Sequence, residues 1–194
     1  MKFVDLYEYA NGMAGDVIPV RELRTHIIAH HPNVGGIEFY PVDLDENVSL
    51  GHIKYERDRT SAYDDEFTVA NIRFSKTLNR CMRRYVCCKE MMHVFDSPEE
   101  RVDSADKFLR LMNELEAIPL KEDISPMFAS ELNAEWMAAL VLCPQRLRDA
   151  LRPAWVAGEK SDYDVALALK IPETIIKGIM GDYYDSARAI LTKA

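Results

Sequence analysis

Between Ile37 and Phe74 the chain abandons helical spacing. Ile37-Glu38-Phe39-Tyr40-Pro41-Val42, Gly51-His52-Ile53-Lys54-Tyr55-Glu56 and Phe67-Thr68-Val69-Ala70-Asn71-Ile72-Arg73-Phe74 alternate, and are rich in β-branched and aromatic residues. A period of two puts successive side chains on opposite faces of a strand. On both sides of this region apolar residues recur at three- and four-residue steps, the signature of helices with one buried face. Three short strands need a covering layer. The pattern therefore predicts an α+β fold: a small three-stranded antiparallel sheet packed on several helices. Pro41, which cannot donate to a ladder, favours an edge or strand end.

At 194 residues the chain fits one domain. We divide it into a main domain over 1-150 and a helical C-terminal segment over 151-194 packed on that domain. No apolar run approaches the ~18 residues of a membrane span, and acids interrupt Met1-Lys2-Phe3-Val4-Asp5-Leu6-Tyr7-Glu8 before a signal-peptide core develops. These features predict a cytoplasmic protein with no membrane partner. The net charge of −8 opposes binding to phosphate backbones, which Lys and Arg drive by releasing counterions. Cys81, Cys87, Cys88 and Cys143 lack the regular spacing of a disulfide framework, and read as reduced, small apolar residues.

A short helix ends near Asn11-Gly12, and a second opens with Pro19 at its first position and breaks before Pro32. Val20, Leu23 and Ile27 form its buried face. Glu22, His26 and His30 share another column, which reads as a solvated flank more readily than as a metal site, since a site needs converging ligands; His31 and His52 have no evident partners. After the strands, Leu78, Met82, Tyr85, Cys88 or Lys89, and Met92 mark a helix from Lys76 to Phe95. Ser97 and Pro98 resemble a cap and first position of the next helix, to which Val102, Phe108, Leu109, Met112 and Leu115 give an apolar side. Pro119 and Pro126 bracket a loop. A further helix carries Phe128, Leu132, Trp136, Met137, Leu140 and Val141 toward Pro144, and shorter helices follow around 147-151, 163-169, 173-180 and 183-191.

The chemistry concentrates at Lys89-Glu90-Met91-Met92-His93. An H-E-x-x-H helix places two imidazoles one turn apart on zinc, with the Glu as base toward metal-bound water. Here Glu90 and His93 hold their places and Lys89 stands at the first histidine. Several further segments come in the order found in the ImmA/IrrE-type metallopeptidases, bacterial and mobile-element proteins of zincin-like fold, which this chain resembles from about Pro19 to Pro144. Pro19-Val20 looks like that family's helix opening. Gly36-Ile37-Glu38-Phe39 looks like its strand after a Gly, and Gly51-His52-Ile53 like its Gly-Ile element. Arg84 to His93 aligns without a gap with R-F-T-L-A-H-E-L-G-H. Glu131-Leu132-Asn133-Ala134-Glu135-Trp136-Met137-Ala138-Ala139-Leu140-Val141-Leu142-Cys143-Pro144 is similar to E-x-x-A-N-x-F-A-x-x-L-L-x-P.

The resemblance implies a catalytic Glu90 and metal ligands His93 and Glu131, with Glu135 as the fallback ligand one turn later. It also implies a repressor-type transcription factor as protein partner. Two departures, Lys89 for the first ligand and Met92 for the motif Gly, change the expectation. An ammonium has no lone pair for zinc, so His93 and Glu131 alone leave a two-ligand site. Cys88 lies five residues before His93, off its face. The expected function is accordingly that of a degenerate member without peptidase activity and without a cofactor, a protein-binding or regulatory module in which the Lys89 charge offsets Glu131 and Glu90. The alternatives are an active zinc endopeptidase cleaving a repressor-type protein, and a DNA-binding regulator acting through the C-terminal helices. The last is weakened by a second helix (Glu173, Ile175, Ile176, Ile179) with little basic charge beyond Lys177.

Overall fold

A computed structural model describes residues 1–59, 67–116 and 124–193. The chain begins with α1 (Phe3–Gly12) and α2 (Val20–His30), continues through strands β1 (Val34–Val42), β2 (Gly51–Asp58) and β3 (Phe67–Ser75), and is helical thereafter. Helices α3 (Arg80–Met92), α4 (Ala105–Glu116) and α5 (Pro126–Leu142) carry the rest of the main body, and α6 (Gln145–Val156), α7 (Asp162–Leu169), α8 (Ile176–Met180) and α9 (Tyr183–Leu191) form the C-terminal end. The α+β class is as expected. Pro119 falls outside the described residues.

The sheet is mixed, not antiparallel. Its order is β1-β3-β2, with β1 parallel to β3 and β2 antiparallel to β3. Alternation determines which face a side chain takes but not which strand lies beside which. Consecutive β2 moves to the edge, and β3 inserts between it and β1. The outer edge of β1 is guarded: Arg24 from α2 donates to Ile37 O at 2.5 Å and pairs with Glu38 at 2.7 Å. Among the described residues no strand pairs with the outer edge of β2.

Three helix starts differ from expectation. Pro19 is the N-cap of α2, its carbonyl accepting from Glu22 and Leu23. The helix expected from Lys76 starts at Arg80, because Lys76 N–H still donates to Val42 O at 3.0 Å and Asn79 caps the Met82 N–H at 3.0 Å. The segment after Asp96 closes one turn, through Ser97 N–H to the Glu100 carboxylate at 2.7 Å, and α4 begins only at Ala105. The buried stripe of α4 is correspondingly displaced. Leu111 is buried with Met112 and Leu115 against it, whereas Leu109 is 60% exposed.

Helix α5 is buried on most sides from Ala134 to Leu142 and forms the axis of the core. Around it pack α1, α3, α4 and α9. Leu6, Ile18, Leu23, Ile27, Ile37, Ile72, Met91, Met92, Leu140 and Leu142 are fully enclosed. Glycine permits one close approach, since a Cβ at Gly51 would lie 2.6 Å from Val86 Cγ1 and 3.2 Å from Glu90 Cγ. β2 thus meets α3 at the level of Glu90. At the far end the buried Arg148 donates to Ile179 O and Gly181 O, each at 2.9 Å, and lies over the Tyr184 ring, whose hydroxyl donates to Cys143 O at 2.9 Å. These bonds tie the C-terminal helices to α5 and α6. Among the described residues no helix is long and apolar enough to cross a membrane.

Candidate functional site

Helices α3 and α5 meet along their length, and their facing turns bring together residues 42 positions apart. Lys89 and Glu90 occupy the last turn of α3. His93 follows at its C-cap, where one 3-10 turn (His93–Phe95) begins in right-handed helical conformation. From α5 come Ser130 and Glu131, placed by the Ser125 cap that starts the helix. The Lys89 ammonium donates to Glu131 Oε2 and, at 3.1 Å, to Glu90 Oε1. The three side chains are 15%, 22% and 5% exposed, in the order Lys89, Glu131, Glu90. Two of the sequence-predicted carboxylates, Glu90 and Glu131, thus meet at the Lys89 cation.

His93 is 5% exposed and held from both ends. Its Nδ1 is 2.8 Å from Asp96 Oδ2 and 3.2 Å from Ser130 Oγ, and its carbonyl accepts from Tyr55 OH at 2.6 Å and from Asp96 N–H at 3.1 Å. Its Nε2 is 3.4 Å from Glu131 Oε1, within ion-pair range, but is not aligned for a hydrogen bond and has no other partner. Asp96, Ser130 and Tyr55 were not singled out from sequence. Asp96 had a legible signal, a carboxylate three residues after the histidine, and Ser130 adjoins Glu131. Tyr55 had none, because its approach depends on β2 lying at the sheet edge.

The charges reinforce one another. Burial alone would depress the His93 pKa, but the Asp96 and Glu131 carboxylates reverse this and raise it to about 10. Burial likewise opposes the Lys89 ammonium, yet Glu90 and Glu131 hold its pKa above the ordinary lysine value. Glu131 would be raised by burial, but His93 and Lys89 hold it down at about 2. Glu135, the fallback ligand, stands one turn further at the exposed mouth, where burial and the neighbouring Glu131 raise its pKa against Lys89.

These groups line one side of a cleft of about 770 Å³. Val48 to Tyr55 of β2 and its approach form the opposite wall, and Val102, Phe108, Leu111, Met112 and Leu115 cover it from the α4 side. His52 lines the same cleft. The Glu22-His26-His30 column lies elsewhere and brings no three ligands together: His26 stacks on Tyr9 at 3.7 Å and lies 4.2 Å from the His30 ring, His30 Nδ1 lies 2.9 Å from the His26 carbonyl, and Glu22 faces Arg21. His31 packs edge-on against Phe95.

A zinc ion does not fit this donor set. Zinc sites take at least three protein ligands, and here one imidazole nitrogen and one carboxylate face each other with an ammonium bonded to that same carboxylate. Cys88 offers no substitute: it is fully enclosed in the core, and burial pushes its thiol pKa up to about 12. Among the described residues no group of three or more His, Cys, Asp or Glu side chains is arranged to hold a metal ion. Glu90 is similarly engaged, with Lys89 on one carboxylate oxygen. Comparisons with family models, with curated proteins and with solved structures gave no match to this chain.

Proposed function

We propose that this protein is a degenerate relative of the ImmA/IrrE-type metallopeptidases that has no peptidase activity and acts as a regulatory module by binding a segment of a repressor-type protein in its cleft. The observation that carries the proposal is the Lys89 ammonium bonded to both Glu90 and Glu131. A hydrolytic site needs a water-activating base and an electrophile-stabilising centre, and here the candidate base and the candidate ligand are both committed to an internal cation. What remains for a partner is a cleft with an apolar α4 wall. Such a surface is suited to holding a polypeptide segment through burial of its apolar side chains.

The test mixes purified repressor-type transcription factors from the source organism, one at a time, with the protein and with its Glu90→Gln and Phe108→Asp variants. The expected outcome is a complex without proteolysis, retained by Glu90→Gln and weakened by Phe108→Asp at the cleft rim. Cleavage by the natural protein that Glu90→Gln abolishes would overturn the proposal in favour of an active endopeptidase. The DNA-reading alternative gains no support, because α8 is five residues long and turns Ile176, Ile179 and Met180 inward.

A further inference from the structure

Two carboxylates from different helices converge in a largely enclosed space, which is unfavourable unless a cation lies between them. Glu90 comes from α3 and Glu131 from α5, and Lys89 Nζ is the cation that bonds both. His93, nearly fully buried, lies 3.4 Å through Nε2 from the second oxygen of Glu131. Glu131 thereby serves the ammonium with one oxygen and faces the imidazole with the other. We infer that the space between Glu90 and Glu131 is a primary-ammonium slot, filled by the chain's own Lys89, and that this resident ammonium in place of a metal clamps α3 to α5 and holds the cleft floor.

The chemistry favours a nitrogen cation. An ammonium offers three N–H donors and needs oxygen acceptors at hydrogen-bond distance, which the two carboxylates supply. A tetrahedral metal would need a third protein ligand, and the ring nitrogen already engaged by Asp96 and Ser130 cannot turn to provide a second bond. The inference shares its cleft with the binding function proposed above but concerns what holds that cleft together. Its readout is stability without any partner, so failure of partner binding and failure of the slot are separate results.

The experiment uses the full chain and its Lys89→Ala variant, which lacks the equivalent of a propylammonium ion. Melting temperatures are measured for both proteins with added propylammonium, tetramethylammonium or Zn²⁺. The variant is expected to melt lower than the natural protein. Propylammonium is expected to raise its Tm in a saturable, concentration-dependent way, as a ligand of the native state must, while leaving the natural protein unmoved. Tetramethylammonium, which has no N–H donor, is expected to give no recovery, and Zn²⁺ none. Absence of recovery with propylammonium overturns the inference, as does recovery with Zn²⁺ alone. Should Lys89→Ala fail to fold, refolding yield with and without propylammonium gives the same decision. Lys89→Arg, which keeps a donor-bearing cation, is expected to retain more stability than Lys89→Met.

Discussion

Replacing Lys89 by Met removes the cation and keeps much of the side-chain volume. In the folded state Glu90, 5% exposed, loses its ion-pair partner, and Glu131, 22% exposed, keeps only His93 at 3.4 Å. Breaking a buried pair by deleting one member costs ~3–5 kcal/mol. The partial exposure of Glu131 and its remaining imidazole place this case at the lower end, about 3 kcal/mol. For a chain of this size that corresponds to a Tm decrease of roughly 6–12 °C. Glu131→Gln alone leaves Lys89 bonded to Glu90 and costs less, about 1–2 kcal/mol. Because both changes act on one contact, the double variant is expected to be more stable than the sum of the singles predicts, by at least about 1 kcal/mol. Urea unfolding of the four proteins at neutral pH measures each term. A Lys89→Met cost within about 0.5 kcal/mol of zero, as for exposed pairs, together with additive singles, would refute the clamp.

Two further predictions come from the same floor. The raised pKa of His93, about 10 in the fold against an ordinary 6.5, means that the folded state holds a proton the unfolded chain has lost. Its stabilisation is complete below the unfolded pKa and fades as pH climbs toward 10, with a limiting slope of about 1.4 kcal/mol per pH unit. His93→Gln should remove that component from the alkaline limb of a stability profile, and identical limbs in the two proteins would contradict it. At Gly51 an added methyl would crowd Val86 and Glu90, so Gly51→Ala should cost ~1–3 kcal/mol. Gly12→Ala, with open space around the new methyl, serves as the control and should stay within about 0.5 kcal/mol of the natural protein. Equal midpoints for the two variants in thermal unfolding would show that β2 does not press on α3.

Periodicity made the strands and most helices legible, because burial of one face leaves its spacing in the sequence. It could not order the sheet. The parallel pairing of β1 with β3 is set by contacts between residues more than thirty positions apart, such as Ile37 beside Ala70, for which alternation carries no record. Helix starts failed where a local bond outcompeted the repeat: Lys76 remains bonded to β1, and Glu100 closes a turn where a helix was expected. At the site, Lys89, Glu90, His93 and Glu131 were legible together because a second motif stood beside the first. The Asp96 and Ser130 contacts with His93 were not, since they arise only when a 3-10 turn and the first turns of α5 are brought face to face.

We propose that the Lys89 ammonium stands where a metallopeptidase of the resembled family would hold its metal. Metal content decides it most directly, measured on untagged protein purified without chelator, then equilibrated with zinc and freed of excess, alongside Lys89→His prepared in the same way. The natural protein is expected to retain far less than one zinc per chain and the Lys89→His variant to retain more, through His93, Glu131 and the new imidazole. One zinc per natural chain, lost on His93→Gln, would show instead that a metal occupies this place.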